Sequence, residues 1–99
     1  MRKVLFLLFL LCLIGETTLA AGTIRIGLMC PLTGSWAGEG RQMKQVVNLL
    51  GEELNKKGGL LGKKVEVIVE NDGGDLRTSV LAAQRLATQG IVAVIGTYG

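Results

Sequence analysis

The 99-residue chain has no histidine at all, one proline, two cysteines and very few aromatic residues, with a single Trp and a single Tyr. Without histidine, the side chain that most often ligates metals and shuttles protons near neutral pH is missing. Two cysteines, Cys12 and Cys30, provide no framework of disulfides to staple a small fold. No basic run exceeds two residues. Arg2 and Lys3 account for two of the eleven basic residues and Glu16 for one of the eight acidic ones, so the rest carries an excess of only +2. That balance is too mild to argue for nucleic acid or an anionic surface as partner.

What the chain does have, at its start, is one uninterrupted apolar run. Arg2 and Lys3 precede Val4 to Ile14, VLFLLFLLCLI, and small and polar residues follow up to Ala20. This is the pattern of a secretory signal peptide, with cleavage expected after Ala20. The run is short for a membrane span. An uncleaved anchor or a buried N-terminal helix is the competing reading. Leu11 stands where a lipoprotein site at Cys12 would want a small residue. Residues 1–20 are thus expected to be a signal peptide and residues 21–99 the mature part. The mature part is small for an independent core, and its last residues read as a strand with nothing to cover it. It is expected to be the N-terminal portion of a longer protein. Cys30 is expected to be a small buried hydrophobe at a strand end.

The remainder alternates between two periodicities. Thr23–Met29 (TIRIGLM) and Lys63–Glu70 (KKVEVIVE) alternate as strands do, and Pro31 ends the first. A first helix is expected to start between Gly38 and Arg41, with Met43, Val47, Leu50 and Leu54 on its apolar face, and to stop at Lys56-Lys57-Gly58-Gly59. A second is expected from an Asp75 N-cap to Gly90, with Leu76, Val80, Ala83 and Ala87 as its stripe. Ile91–Ile95 (IVAVI) reads as a strand buried on both faces. Strand, helix, strand, helix, strand implies an α/β fold, a parallel sheet with right-handed crossovers and helices on both faces.

The loop PLTGSWAGEG, residues 31–40, is where chemistry is to be sought. Its glycines at 34, 38 and 40 do not fit the dinucleotide spacing G-x-G-x-x-G, although Glu70 or Asp72 could serve as the acidic residue at the end of strand two. No Gly-Lys-Ser/Thr triplet marks a phosphate loop. Capture of a small ligand by loop backbone, hydroxyls and a helix N-terminus fits better. With strands in the order 2-1-3, the loops after strands one and three flank the switch point where open α/β sheets bind ligands. Trp36 and Tyr98 would then flank one crevice, or merely cover a sheet edge. Glu39 could meet a ligand ammonium, or complement the helix dipole. Asp72 and Asp75 read as turn and cap residues. No cofactor is implied.

Four pieces, I-x-I-G…P-L-T-G, then E-x-x-N-x-x-G-G-L-x-G-K-K, a D-x-x-D turn and I-V-A-V-I-G, stand in an order and spacing that resembles periplasmic substrate-binding proteins of branched-chain amino acid ABC transporters, the leucine/isoleucine/valine-binding type. The resemblance covers essentially everything after the signal. It implies a type I periplasmic-binding-protein-like fold, of which only the first β-α-β-α-β part of the N-terminal lobe is present. It implies a protein exported to the periplasm, monomeric when full length, whose two lobes close on an amino acid and deliver it to a membrane permease; it does not imply an enzyme. By that resemblance Tyr98 lines the side-chain pocket, and Gly99 immediately precedes the hydroxyl residues that hold the amino-acid group. Glu39 stands where some members carry a pocket aromatic, which sets it apart from branched-chain specificity. Leu76 replaces a frequent proline, and Gly74 and Gly99 occupy positions that carry a disulfide in some members. Trp36, Glu39, Tyr98 and Gly99 are therefore the candidate ligand-binding residues. A ligand-sensing domain of a receptor on the same fold is the alternative, and a nucleotide-binding enzyme a third reading that the glycine spacing opposes.

Overall fold

The computed structural model describes residues 22–99, so the expected signal peptide lies outside the described residues. Five elements follow one another: β1 (Thr23–Cys30), α1 (Ala37–Lys56), β2 (Lys64–Asn71), α2 (Leu76–Ala87) and β3 (Ala93–Ile95). The strands form one sheet in the order β2-β1-β3, and both pairings are parallel. Thr23 to Cys30 pair in unbroken register with Lys64 to Asn71, while β3 pairs only with Ile26, Gly27 and Leu28. The parallel sheet implied by the alternation is observed, and its order is the one on which a switch point at the strand ends was conditional.

Consecutive residues of β1 show how the helices are placed. Ile26, with Val65 and Val67 from β2, meets Val47, Leu50 and Leu54 of α1 around a hollow of about 170 Å³. Its neighbour Gly27 points the other way, where an added Cβ would lie 3.0 Å from a methyl of Leu86 in α2. Successive strand residues face opposite sides of a sheet, so the two helices cover opposite faces. Leu28, Cys30, Val65, Ala82 and Leu86 form the buried apolar core. Cys30 is a free, buried thiol at the end of β1, in the role expected of it.

The first helix begins at Ala37, earlier than the glycines in its first turn suggested. Gly40 is there for packing: a Cβ on it would come within 2.5 Å of the carbonyl carbon of Pro31. Of the stripe expected on this helix, Val47, Leu50 and Leu54 border the sheet, with Leu50 still exposed, and the buried positions are Gly40, against the Pro31 carbonyl, and Gly51, against Val67. At the other end, Asn55 reaches β2. Its Oδ1 accepts from the Val65 N–H at 2.7 Å and its Nδ2 donates to the Val65 carbonyl at 2.8 Å.

The second helix is capped as expected. The Asp75 carboxylate accepts from the Thr78 N–H at 2.8 Å. Its buried face, however, is not the expected stripe. Ala82 and Leu86 are buried, whereas Leu76, Val80, Ala83 and Ala87 are exposed. The small side chains Ser79 and Ala82 let the helix settle on the sheet, and Leu86 fills the space over Gly27. The third strand also departs from expectation. Ile91 and Val92 precede it, the Val92 N–H bonding the Arg25 carbonyl at 3.0 Å, and Ala93, Val94 and Ile95 are all exposed. The helices pack on β1 and β2 and leave β3 uncovered, so the run is not buried on either face among the described residues.

Candidate functional site

In a parallel sheet the loops leaving every strand emerge at the same edge. Here three of them meet: Pro31–Trp36 after β1, Asp72–Asp75 after β2 and Gly96–Gly99 after β3. Two side chains at the end of β2 tie them together. The Asn71 Oδ1 accepts from the Leu32 N–H at 2.8 Å and from the Gly73 N–H at 2.9 Å, and its Nδ2 donates to the Thr33 hydroxyl at 3.0 Å. One amide thus holds the first loop against the second. Asp72, completely buried, links the second to the third. It accepts from the Gly74 N–H at 2.9 Å and from the Thr97 hydroxyl, while its own N–H bonds the Cys30 carbonyl at 3.0 Å. A buried carboxylate supplied with donors in this way is a structural fastener.

On that scaffold Trp36 and Tyr98 pack against each other, with ring centroids 5.5 Å apart and planes at 71°. The geometry is edge-to-face, the arrangement that aromatic quadrupoles favour. The expected pair of crevice walls is therefore one composite wall. Gly74 and Gly99 supply backbone close to the indole. A Cβ on Gly99 would stand 3.0 Å from Trp36 Cδ1, and one on Gly74 3.1 Å from the same atom. Each aromatic remains 43 % exposed, so the wall still presents apolar surface.

An open cavity of about 450 Å³ lies beside that wall, bordered by Glu39, Gln42, Met43, Val46, Val47 and Tyr98. The structure therefore brings Glu39 and Tyr98 to one cavity, while Trp36 and Gly99 sit behind Tyr98. Sequence reasoning missed Gln42 and the fastening roles of Asn71 and Thr97, and assigned Met43 and Val47 only to the helix's packing face. The helical spacing of Glu39, Gln42, Met43, Val46 and Val47 was the available signal, since i, i+3, i+4 and i+7 share one face.

Electrostatically the site is plain. Burial, reinforced by the nearby Asp72 carboxylate, raises the Cys30 thiol above its usual pKa, which keeps it protonated and unreactive. The Thr78 N–H lowers the Asp75 carboxyl from its usual value of 3.8. The loops offer hydrogen-bonding backbone and aromatic surface, and the first turn of α1 adds one carboxylate, Glu39, beside an open cavity, which is equipment for holding a solute.

Parallel strands in this order, with three loops fastened together at their carboxyl ends and an open cavity between α1 and Tyr98 beside them, define part of the N-terminal lobe of a type I solute-binding fold. The chain belongs to the periplasmic binding protein family, whose model matches residues 23–99. It is 42% identical over 78 residues to the Leu/Ile/Val-binding protein BraC3 of Rhizobium johnstonii, a match covering 79% of this chain and 21% of that protein. Among solved structures, the branched-chain amino acid transporter substrate-binding protein LivJ of Streptococcus pneumoniae, in complex with isoleucine, superposes with a TM-score of 0.72 at 30% identity, over 77% of this chain and 22% of LivJ. The fatty acid ABC transporter substrate-binding protein of Thermomonospora curvata superposes with a TM-score of 0.69 at 32% identity, over 73% of this chain and 18% of that one. The chain thus spans about a fifth of the length of the relatives it matches.

Proposed function

We propose that this chain is the N-terminal part of an extracytoplasmic solute-binding component of an ABC transporter, which captures an amino acid, branched-chain or related, and delivers it to a membrane permease. The observation that carries the reading is the fastened cluster of three loops, with Tyr98 and Glu39 bordering one open cavity at the carboxyl end of a parallel sheet. Similarity to leucine/isoleucine/valine-binding proteins supports the solute class. Residues 1–20 act as the export signal and direct the protein to the periplasm. Residues 21–99 form the start of the first lobe, and a second lobe closes over the cavity by hinge motion. The cavity is open here, so these residues alone hold half a cleft and bind a solute weakly. Capture and release involve no bond making, so the protein is a carrier and not an enzyme, and it works as a monomer when full length.

The test uses the full-length exported protein. Its mass reports cleavage after Ala20, and calorimetric titration with a panel of amino acids reports the solute. Micromolar or tighter binding of an amino acid to the full-length protein, and its near-absence in residues 21–99, is the expected result. An uncleaved protein that binds no amino acid would overturn the reading.

A further inference from the structure

We infer that the crevice beside Tyr98 selects an amino acid whose side chain bears a cationic group, which the Glu39 carboxylate receives against the aromatic ring. The inference rests on the solute-receptor reading and adds to it the chemistry of the solute.

Among the described residues Glu39 is the sole charged one bordering the cavity; its companions are Gln42, the apolar Met43, Val46 and Val47, and Tyr98. It is half-buried, and none of the ion pairs among the described residues, Arg25–Glu66, Lys56–Glu53 and Arg85–Glu70, involves it. Its helical neighbours at i+3 and i+4 are Gln42 and Met43, so α1 places no cation of its own within reach on that face. The helix dipole favours an acid in the first turn. That preference is satisfied at any exposed first-turn position and does not require a carboxylate at the cavity's border.

The consequences for a ligand follow from desolvation. An aliphatic group lodged here would strip water from the Glu39 carboxylate and return nothing to it. An ammonium, guanidinium or quaternary ammonium group pairs with the carboxylate. The same group can also rest on Tyr98, whose ring Trp36 holds edge-to-face while much of it stays exposed. One carboxylate beside an anchored aromatic is the combination by which proteins distinguish a cation from an apolar group of similar size.

The experiment is calorimetric titration of the full-length exported protein with L-lysine, L-arginine and L-leucine, repeated on Glu39→Gln and Tyr98→Leu. Lysine or arginine is expected to bind at least about tenfold more tightly than leucine. Glu39→Gln, with its thermal midpoint unchanged, is expected to lose about tenfold or more in affinity for the cationic amino acid while holding or gaining affinity for leucine; Tyr98→Leu shifts the preference the same way. Tighter binding of leucine, unaffected by Glu39→Gln, overturns the cation inference and leaves the receptor reading standing. A cation preference that survives Glu39→Gln overturns the role of this carboxylate. Failure of all three amino acids to bind overturns the cation inference, and the receptor reading falls with it only if the wider panel of amino acids fails as well.

Discussion

Asn71 is the most informative residue to perturb, because a single amide fastens two loops. Asn71→Ala removes two hydrogen bonds to backbone N–H groups, at 2.8 and 2.9 Å, and one at 3.0 Å to the exposed Thr33 hydroxyl. A typical intramolecular hydrogen bond is worth about 0.5–1.5 kcal/mol net. The two backbone bonds are partly buried and count fully; the Thr33 bond is exposed and counts for little. The expected loss is about 2 kcal/mol, roughly thirtyfold in the folding equilibrium. Asn71→Asp separates the explanations. It keeps both acceptor functions and gives up only the donor to Thr33, whose hydroxyl can turn and donate instead. It should recover more than half of the loss, even with Asp72 alongside. Urea denaturation of the full-length protein measures this as a shift in midpoint at constant slope. Solute affinity should fall in parallel for the alanine variant, because the first loop carries Trp36. An alanine variant within about 0.5 kcal/mol of the parent, a difference typical of an unconstrained surface site, would refute the fastening role. So would an aspartate variant as damaged as the alanine one.

Three further outcomes are expected. Gly40→Ala forces α1 away from the Pro31 carbonyl and should destabilise the protein by about 3 kcal/mol or more, as overpacking against rigid backbone does; thermal denaturation reads it. Asp75 has its folded pKa lowered by the Thr78 N–H, so the stability it contributes is present above the unfolded value of 3.8 and is lost as pH falls through the lower folded value. The advantage of the parent over Asp75→Ala should accordingly shrink in denaturation curves taken below pH 3.8. Cys30, buried and with its thiol pKa raised, should resist a thiol-specific reagent at pH 8 in the native state and react at once in denaturant.

Topology was legible from local signals because each piece of the alternation is enforced by a different chemistry. Pro31 stops one strand, Gly58-Gly59 stops one helix, and Asp75 starts the next. The parallel connection rule implies right-handed crossovers and strand-end loops at one edge, but it does not choose which strand lies in the middle. The buried face of α2 was not legible. Leu76, Val80, Ala83 and Ala87 form a stripe immediately beside that of Ser79, Ala82 and Leu86, and hydrophobicity favours the wrong one. Close packing on a strand rewards small side chains instead. The apolar run at Ile91–Ile95 reads as doubly buried because composition does not report whether a helix lies above a strand. In the site, Tyr98 and Glu39 were legible as residues at loop ends. Their sharing of a cavity, with Trp36 behind Tyr98, depends on the path of residues 96–99, for which side-chain periodicity offers no guide.

The Asn55 amide has a consequence for how the sheet can be extended. Its oxygen and nitrogen meet the N–H and C=O of Val65 much as the peptide groups of a neighbouring strand would. To an approaching chain, that stretch of the outer edge of β2 is already paired. Unpaired strand edges invite association with foreign chains, and proteins blunt them in various ways; here a helix from the same lobe lends its last turn as a surrogate strand. Strand addition over that stretch of β2 is thereby opposed by the chain's own first helix.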